Sequence, residues 1–171
     1  MGRKAKEGKA AKPPASALER AVRLLASRRQ TESELRRKLM QRGYETPEIE
    51  AALKRLKELK YVDDATAAHD WADELARLGG QGRLKAQQKL MQRGLDASLA
   101  SREVERAWTP ELEREHAQRS LAHQLKLSPA LASTRKGRAK LWRSLMNRGY
   151  DTDIIRDLLA ALPGTGDDET A

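Results

Sequence analysis

Apolar residues recur at helical spacing along most of this chain, and many of the runs begin or end at a recognisable helix signal. Nine helix-sized segments, in three sets of three, are predicted between residues 16 and 163. Val22 in the first segment and Leu78 in the fourth are among the residues predicted to face the core. Thr31 followed by Glu34 predicts a capping box. Thr46-Pro47 and Thr109-Pro110 each predict a helix with a threonine cap and proline in the first helical position. The apolar residues are mainly Leu, Ala, Ile, Val and Met, which suits helices better than sheets.

A nearly identical string ends the second helix of each set. The first copy reads Lys38-Leu39-Met40-Gln41-Arg42-Gly43-Tyr44, and the other two carry their glycines at positions 94 and 149. Each glycine predicts a left-handed helix cap, after which the chain folds back onto the last turn. We therefore expect Tyr44, Leu95 and Tyr150 to lie against Leu39, Leu90 and Leu145. The near-constant spacing predicts tandem repeats.

The predicted fold is all-α, with three tandem three-helix repeats forming a curved, elongated array. The predicted repeats are 16–62, 63–108 and 109–163, between a flexible basic arm at 1–15 and an acidic disordered tail at 164–171. Because three short helices bury little surface alone, neighbouring repeats are expected to share a core. The methionines before the three glycines (Met40, Met91 and Met146) are expected to fill gaps at the core edge.

The charge is unevenly distributed along the chain. The formal net charge is +9, from 34 Lys and Arg against 25 Asp and Glu. The arm and tail carry +4 and −3, and the three repeats carry +5, −1 and +4 in order. Such an excess favours a polyanion such as nucleic acid, or an acidic protein surface. Ordinary solubilising charge is the alternative explanation of the total.

No motif in the chain predicts catalysis, a cofactor or a metal site. There is no cysteine, which excludes disulfides and thiolate metal sites. His116 and His123 could share a helix face, but without a third ligand they are weak evidence for metal. The sequence Gly79-Gly80-Gln81-Gly82 lacks the Lys and Ser or Thr of a phosphate loop. No apolar run is long enough to cross a bilayer, so we expect a cytoplasmic protein. We also expect a monomer.

The candidate binding residues are basic side chains, concentrated in the first and third repeats. For any single arginine a solvated helix face is the simpler explanation, but the clustering favours phosphate contacts without sequence readout. The predicted contact residues are Arg28, Arg29, Arg36, Arg37, Arg42, Arg83, Lys85, Arg93, Arg135, Lys136, Arg138, Lys140, Arg143 and Arg148.

Three-helix repeats with tryptophan also occur in Myb-like DNA readers. In those proteins tryptophans recur at matching positions of each repeat. Here Trp71, Trp108 and Trp142 fall in the first, third and second helices of their sets, so the Myb-like interpretation is disfavoured.

Two segments at the first repeat and just after it are the most distinctive in the chain, namely the run from Arg28 to Tyr44 and Tyr61-Val62-Asp63-Asp64 with Ala68. In these segments the chain resembles the RecX family, regulators of the bacterial RecA recombinase. Further matches are Ile49, Leu53 and Leu56 after the first glycine, and Arg93-Gly94-Leu95 in the second repeat. The chain departs from the family at Ala67, where an aromatic residue is usual, and near Ala86, where a branched aliphatic is expected.

The resemblance implies a non-enzymatic inhibitor that lodges in the groove of the RecA–DNA filament. It would restrain strand exchange and the linked ATP hydrolysis, and so modulate homologous recombination, DNA repair and the SOS response. The implied partners are the RecA filament and DNA, bound without sequence specificity. The alternative is a helical DNA-binding protein that acts without RecA.

Overall fold

The computed structural model describes residues 15–163, which form nine α-helices and contain no β-strand. The prediction of an all-α chain built from three-helix repeats is confirmed. The helices are α1 (Ala17–Ser27), α2 (Glu32–Met40), α3 (Thr46–Glu58), α4 (Asp64–Leu78), α5 (Arg83–Gln92), α6 (Ala97–Ala107), α7 (Pro110–Leu127), α8 (Arg135–Asn147) and α9 (Thr152–Ala160). One short 3₁₀ turn, Pro129–Leu131, precedes α8.

The helix starts follow the capping signals of the sequence, with one exception. The Thr31 hydroxyl accepts a hydrogen bond from the Glu34 N–H at 3.0 Å, and the Glu34 carboxylate accepts one from the Thr31 N–H at 3.4 Å. Thr109 caps α7 as predicted. The prediction for Thr46 is wrong, because Thr46 is already helical and Glu45 is the cap. Proline is tolerated one position later because that N–H also lacks a partner within the helix.

The three glycine caps form as the sequence predicts. Gly43, Gly94 and Gly149 have φ of 80°, 86° and 78°. The N–H of the residue after each glycine donates to the carbonyl of the predicted leucine. These bonds join Tyr44 to Leu39 at 3.3 Å, Leu95 to Leu90 at 3.3 Å and Tyr150 to Leu145 at 3.4 Å. The repeated string therefore encodes a helix stop of one geometry.

The buried apolar residues fall into three clusters, one in each repeat. Leu112 of α7 packs against the middle cluster, so the expected sharing between the second and third repeats is limited to the edge of that core. The middle cluster contains two small residues, Ala67 and Ala86, at the positions where larger ones were expected. Trp71 and Trp108 pack in the same cluster and supply the volume that these alanines lack. Small residues at these two positions are thus compatible with a filled core.

Two residues expected in apolar stripes point to solvent instead. Val22 of α1 is 45% exposed and Leu78 at the end of α4 is 64% exposed. In α1 the buried positions are Ala17 and Ala21, whose small side chains let the helix pack against α3. The larger aliphatic residue is not always the inward one where helices approach closely.

Backbone contacts divide the described chain into two compact units. The first comprises 15–30 and 35–62, and the second comprises 31–34 and 63–163. The first turn of α2 thus belongs with the second and third repeats. The predicted repeat boundaries stay predictions. The predicted acidic tail and all but the last residue of the predicted arm lie outside the described residues.

Within the second unit, main-chain hydrogen bonds join the start of α5 to the end of α8. The Gly82 N–H, at the start of α5, donates to the Arg148 carbonyl at 2.9 Å, and the Leu84 N–H donates to the Gly149 carbonyl at 3.2 Å. A Cβ at Gly82 would overlap the Gly149 carbonyl. At the equivalent position, the Thr31 hydroxyl donates to the Arg93 carbonyl at 2.6 Å. Helix ends that would otherwise lack partners are satisfied this way.

Candidate interaction surface

Helix α8 presents a narrow basic stripe to solvent. Its buried side is set by Gly137, Leu141 and Leu145, four residues apart. Lys136, Lys140 and Arg143 lie on the opposite side, and helical geometry confines these three to about 60° of arc. None of them is paired with a carboxylate within residues 15–163. We call these three residues the α8 stripe.

The first repeat carries a basic residue at an equivalent exposed position. Arg37 and Arg143 both lie six residues before the cap glycine, and Gln88 takes this place in the middle repeat. Three positions further on, Met40, Met91 and Met146 are 57%, 45% and 39% exposed. The prediction that these methionines fill the core edge is therefore wrong. The buried leucine precedes each of them by one residue, and one residue turns the side chain about 100° away.

Several of the predicted contact residues have structural partners instead. Arg36 forms a two-pronged ion pair with Glu50, with nitrogen–oxygen distances of 2.8 and 3.0 Å. Arg42 donates to the Lys38 carbonyl at 2.9 Å, within its own helix end. The Arg93 guanidinium lies over the Trp71 ring, 4.3 Å from its centre.

Three more arginines hold the second unit together. Arg83 reaches Asp151 at 2.7 Å and the buried Glu113 at 3.5 Å, while its N–H donates to Glu113 at 3.2 Å. Arg138 donates to the Ala132 carbonyl at 2.9 Å and to carbonyls at the end of α9, at Leu159, Leu162 and Pro163. Arg148 donates to the Gly80 carbonyl at 3.0 Å.

The remaining predicted residues lie at the surface or close to it. Arg28, Arg29, Arg37 and Arg135 are exposed. Lys85 is half-buried and its ammonium donates to the Gln88 side chain at 2.9 Å. The structure thus brings only Lys136, Lys140 and Arg143 of the predicted set into one compact cationic surface, with Arg135 near its N-terminal end.

A second cationic feature was missed by the sequence reasoning. A cleft of about 280 Å³ in the second unit is lined by Leu78, Gly80, His116, Arg119, Ser120, His123 and Arg148. Four of these lie on one face of α7, at the spacing of one and two helical turns. From sequence, His116 and His123 are considered only as metal ligands, and Arg119 is not considered. The spacing that puts all three on one face of α7 is the signal that would have found the cleft.

His116 is the buried member of that face, with 2% of its surface exposed. Burial lowers the pKa of the His116 ring, and the nearby Arg119 lowers it further, against a smaller opposing effect of Glu115. Its Nδ1 is buried and has no hydrogen-bond partner among the described residues.

Three models of known protein domains match this chain, one for each repeat. The models of the first, second and third RecX three-helix domains match residues 17–56, 63–102 and 113–159. The chain belongs to the RecX family. It is 35% identical to the regulatory protein RecX of Chlorobaculum tepidum over 149 residues, which cover 87% of this chain and 89% of that one. It is 36% identical to RecX of Pseudomonas fluorescens, covering 82% and 87% of the two chains.

Solved RecX structures share the fold. The crystal structure of RecX from Lactobacillus salivarius superposes with a TM-score of 0.71 at 22% identity, covering 84% of this chain and 92% of the other. A second RecX crystal structure gives a TM-score of 0.73, also at 22% identity, over 82% and 71% of the chains. The family is regulatory, and the RecX resemblance of the first repeat is confirmed.

Residues 15–163 lack two features that would point to other functions. No helix in this range is long and apolar enough to cross a membrane. No three His, Asp or Glu side chains in the same range are placed to hold a metal ion together.

Proposed function

We propose that this protein is a non-enzymatic inhibitor of the RecA recombinase, and that it binds in the groove of the RecA–DNA filament. The α8 stripe is the proposed contact with the filament or with DNA phosphates. Arg37 and Arg135 are proposed secondary contacts. Because RecA acts on chromosomal DNA, the proposed place of action is the cytoplasm, and the proposed effects are on recombination, DNA repair and the SOS response.

Membership of the RecX family, whose relatives are named as regulatory proteins, carries the proposal. The α8 stripe adds to it, because it places three cations on about one-sixth of a helix surface, with no carboxylate of residues 15–163 paired to them. Such a surface attracts phosphate or an acidic protein surface. Arg36 pairs with Glu50, Arg83 pairs with Asp151 and the buried Glu113, and Arg138 donates to backbone carbonyls, so these three arginines are assigned to folding.

The test compares two triple variants with equal charge change. Lys136→Glu, Lys140→Glu and Arg143→Glu reverse the α8 stripe. The control reverses three exposed cations elsewhere in the second unit, Arg77, Lys126 and Arg156. We expect the stripe variant to need at least about tenfold more protein for half-inhibition of RecA's DNA-dependent ATPase and strand exchange. The control is expected to inhibit nearly as the parent does.

Arg138 is kept in both variants, because replacing it would remove its bonds to the end of α9 and confuse unfolding with lost binding. Circular dichroism and thermal melting check that both variants fold. A parent protein that leaves both RecA reactions unchanged over a wide concentration range would disprove the proposal.

The rival function, a DNA-binding protein independent of RecA, is separated by a titration. The inhibitor is expected to bind RecA-coated DNA much more tightly than bare duplex. The rival predicts strong binding to bare duplex that weakens steeply with added salt, as phosphate contacts do. Equal affinity for the two substrates at every salt concentration would favour the rival.

A further inference from the structure

We propose that the cleft between α7 and the Gly79–Gly80 turn is a binding site for a phosphate group. The cleft is separate from the α8 stripe, and the inference does not depend on the action of RecA.

The first argument is the composition of the cleft wall. Arg119 and Arg148 contribute guanidinium groups, His116 and His123 contribute imidazoles, and Ser120 contributes a hydroxyl. No carboxylate is part of this wall. Glu115 is not part of the wall but forms an ion pair with Arg119, one turn away on the same helix, at 3.6 Å. A wall that holds two guanidinium groups and no carboxylate of its own suits a phosphate.

The second argument is that the floor of the cleft is fixed in place. The Tyr150 hydroxyl lies 2.7 Å from the Ser120 hydroxyl and donates to the His116 carbonyl at 3.2 Å. Arg148 is tied to the Gly80 carbonyl by one nitrogen, which leaves its other donors to be directed elsewhere. Donors that are held before a ligand arrives lose little entropy on binding.

The third argument is the buried ring of His116. A Cβ at Gly79 would lie only 3.2 Å from its Nε2, so glycine at this turn keeps the space beside the ring open. Its Nδ1 is buried without a partner among the described residues, a cost that a ring placed only for packing would not require. Exposed Leu78 at the rim offers an apolar contact of the kind a nucleoside makes beside its phosphate.

The source of the phosphate is either a nucleic-acid strand or a free anion, and two probes separate them. The full chain is titrated with inorganic phosphate and with a short oligothymidylate, while the ring signals of His116 and His123 are followed by NMR. Shifts with both probes identify a free-anion site, and shifts with the oligothymidylate alone identify a backbone site. Either result supports the proposal.

The variant Arg119→Gln removes one cation of the cleft, and Arg156→Gln is its matched control. Both arginines are exposed, lie in the third repeat and pair with a carboxylate one turn away on their own helix. We expect Arg119→Gln to weaken binding of the responding probe about tenfold and Arg156→Gln to leave it unchanged. His123→Gln serves as a second variant if Arg119→Gln melts early.

The proposal is overturned if neither probe moves the His116 and His123 signals. It is overturned as well if Arg119→Gln and Arg156→Gln weaken binding equally, since binding would then follow net charge and not the cleft.

Discussion

Gly43 and Gly149 have nearly the same backbone conformation but very different surroundings. Their φ angles are 80° and 78°. Apart from Gly43 and its two chain neighbours, no described residue has an atom within 4 Å of a Cβ built at Gly43, whereas one at Gly149 would overlap the backbone of Lys85. The sequence predicts both left-handed conformations, because the helix stop is a local signal. It does not predict the difference between them, which depends on distant residues.

The two glycines therefore give a matched pair of substitutions. Gly43→Ala should lower the free energy of unfolding by about 1–2 kcal/mol, the cost of a left-handed alanine. Gly149→Ala carries the same cost and also an overpacking cost of about 1–3 kcal/mol. Urea unfolding measures both, and equal losses would show that the contact with Lys85 is unimportant.

His116 makes stability depend on pH. Burial lowers the pKa of its ring, so the folded protein binds a proton less readily than the unfolded chain. The stabilising effect is fully present above about pH 6.5 and is lost as the pH falls through the lowered pKa of the folded state. We expect stability to fall between pH 7 and pH 5, with a smaller slope in His116→Gln. Thermal melts across this range check it, with the exposed His123→Gln as control.

The joint formed by Arg83, Glu113 and Asp151 links three helices of the second unit. Glu113 is almost wholly buried, and burial raises the pKa of its carboxyl in spite of the opposing effect of Arg83. A raised pKa means that the stability present below about pH 4.5 is lost as the pH rises through the folded value. Arg83 offsets part of that loss by pairing with the charged form.

Replacing Arg83 alone should therefore lower the free energy of unfolding more than replacing Arg83 and Glu113 together. Arg83→Ala leaves the buried Glu113 without its cation, and we expect a loss of about 1–3 kcal/mol at pH 7. Adding Glu113→Gln should recover part of it, since a neutral side chain needs no cation. Urea unfolding of the two single variants and the double variant gives the coupling. A purely additive result would contradict the account.

At the scale of elements, helix positions are predictable and helix faces less so. Thr31 and Thr109 mark starts because a cap uses only neighbouring residues. The inward face of α1 was misjudged because Val22 is the larger residue, while close packing against α3 selects Ala17 and Ala21. Arg138 was counted as a binding residue because a sequence does not show that the end of α9 lies beside it.

At the scale of the whole molecule, charge differs between repeats that share a fold. The exposed position six residues before the cap glycine holds Arg37, Gln88 and Arg143 in turn. The middle repeat is the one without a cation at this position. Family membership and the excess of charge in the outer repeats were readable from sequence. The compactness of the α8 stripe needed the helix packing to be known.

A single substitution tests the value of that missing cation. Gln88→Arg gives the middle repeat the residue of its neighbours at an exposed site, so stability should change by less than about 0.5 kcal/mol. If the basic faces act in binding, half-inhibition of RecA should need less protein, and affinity should depend more steeply on salt. Gln118→Arg, an exposed position on α7, is the control for net charge alone. An equal gain in both variants would assign the effect to overall charge.

The main-chain joint between α5 and the end of α8 has an evolutionary consequence. Its main-chain hydrogen bonds run from the Gly82 and Leu84 N–H groups to the carbonyls of Arg148 and Gly149, and these bonds need no matched side chains. The ion pair of Arg83 with Asp151 is added beside them. Only a lack of Cβ atoms is demanded, at Gly82 and Gly149. Duplicated copies held together in this manner can diverge at nearly every outward-facing residue without losing their fit. A chain of this kind can acquire a new partner by changing its surface while its joints remain the same.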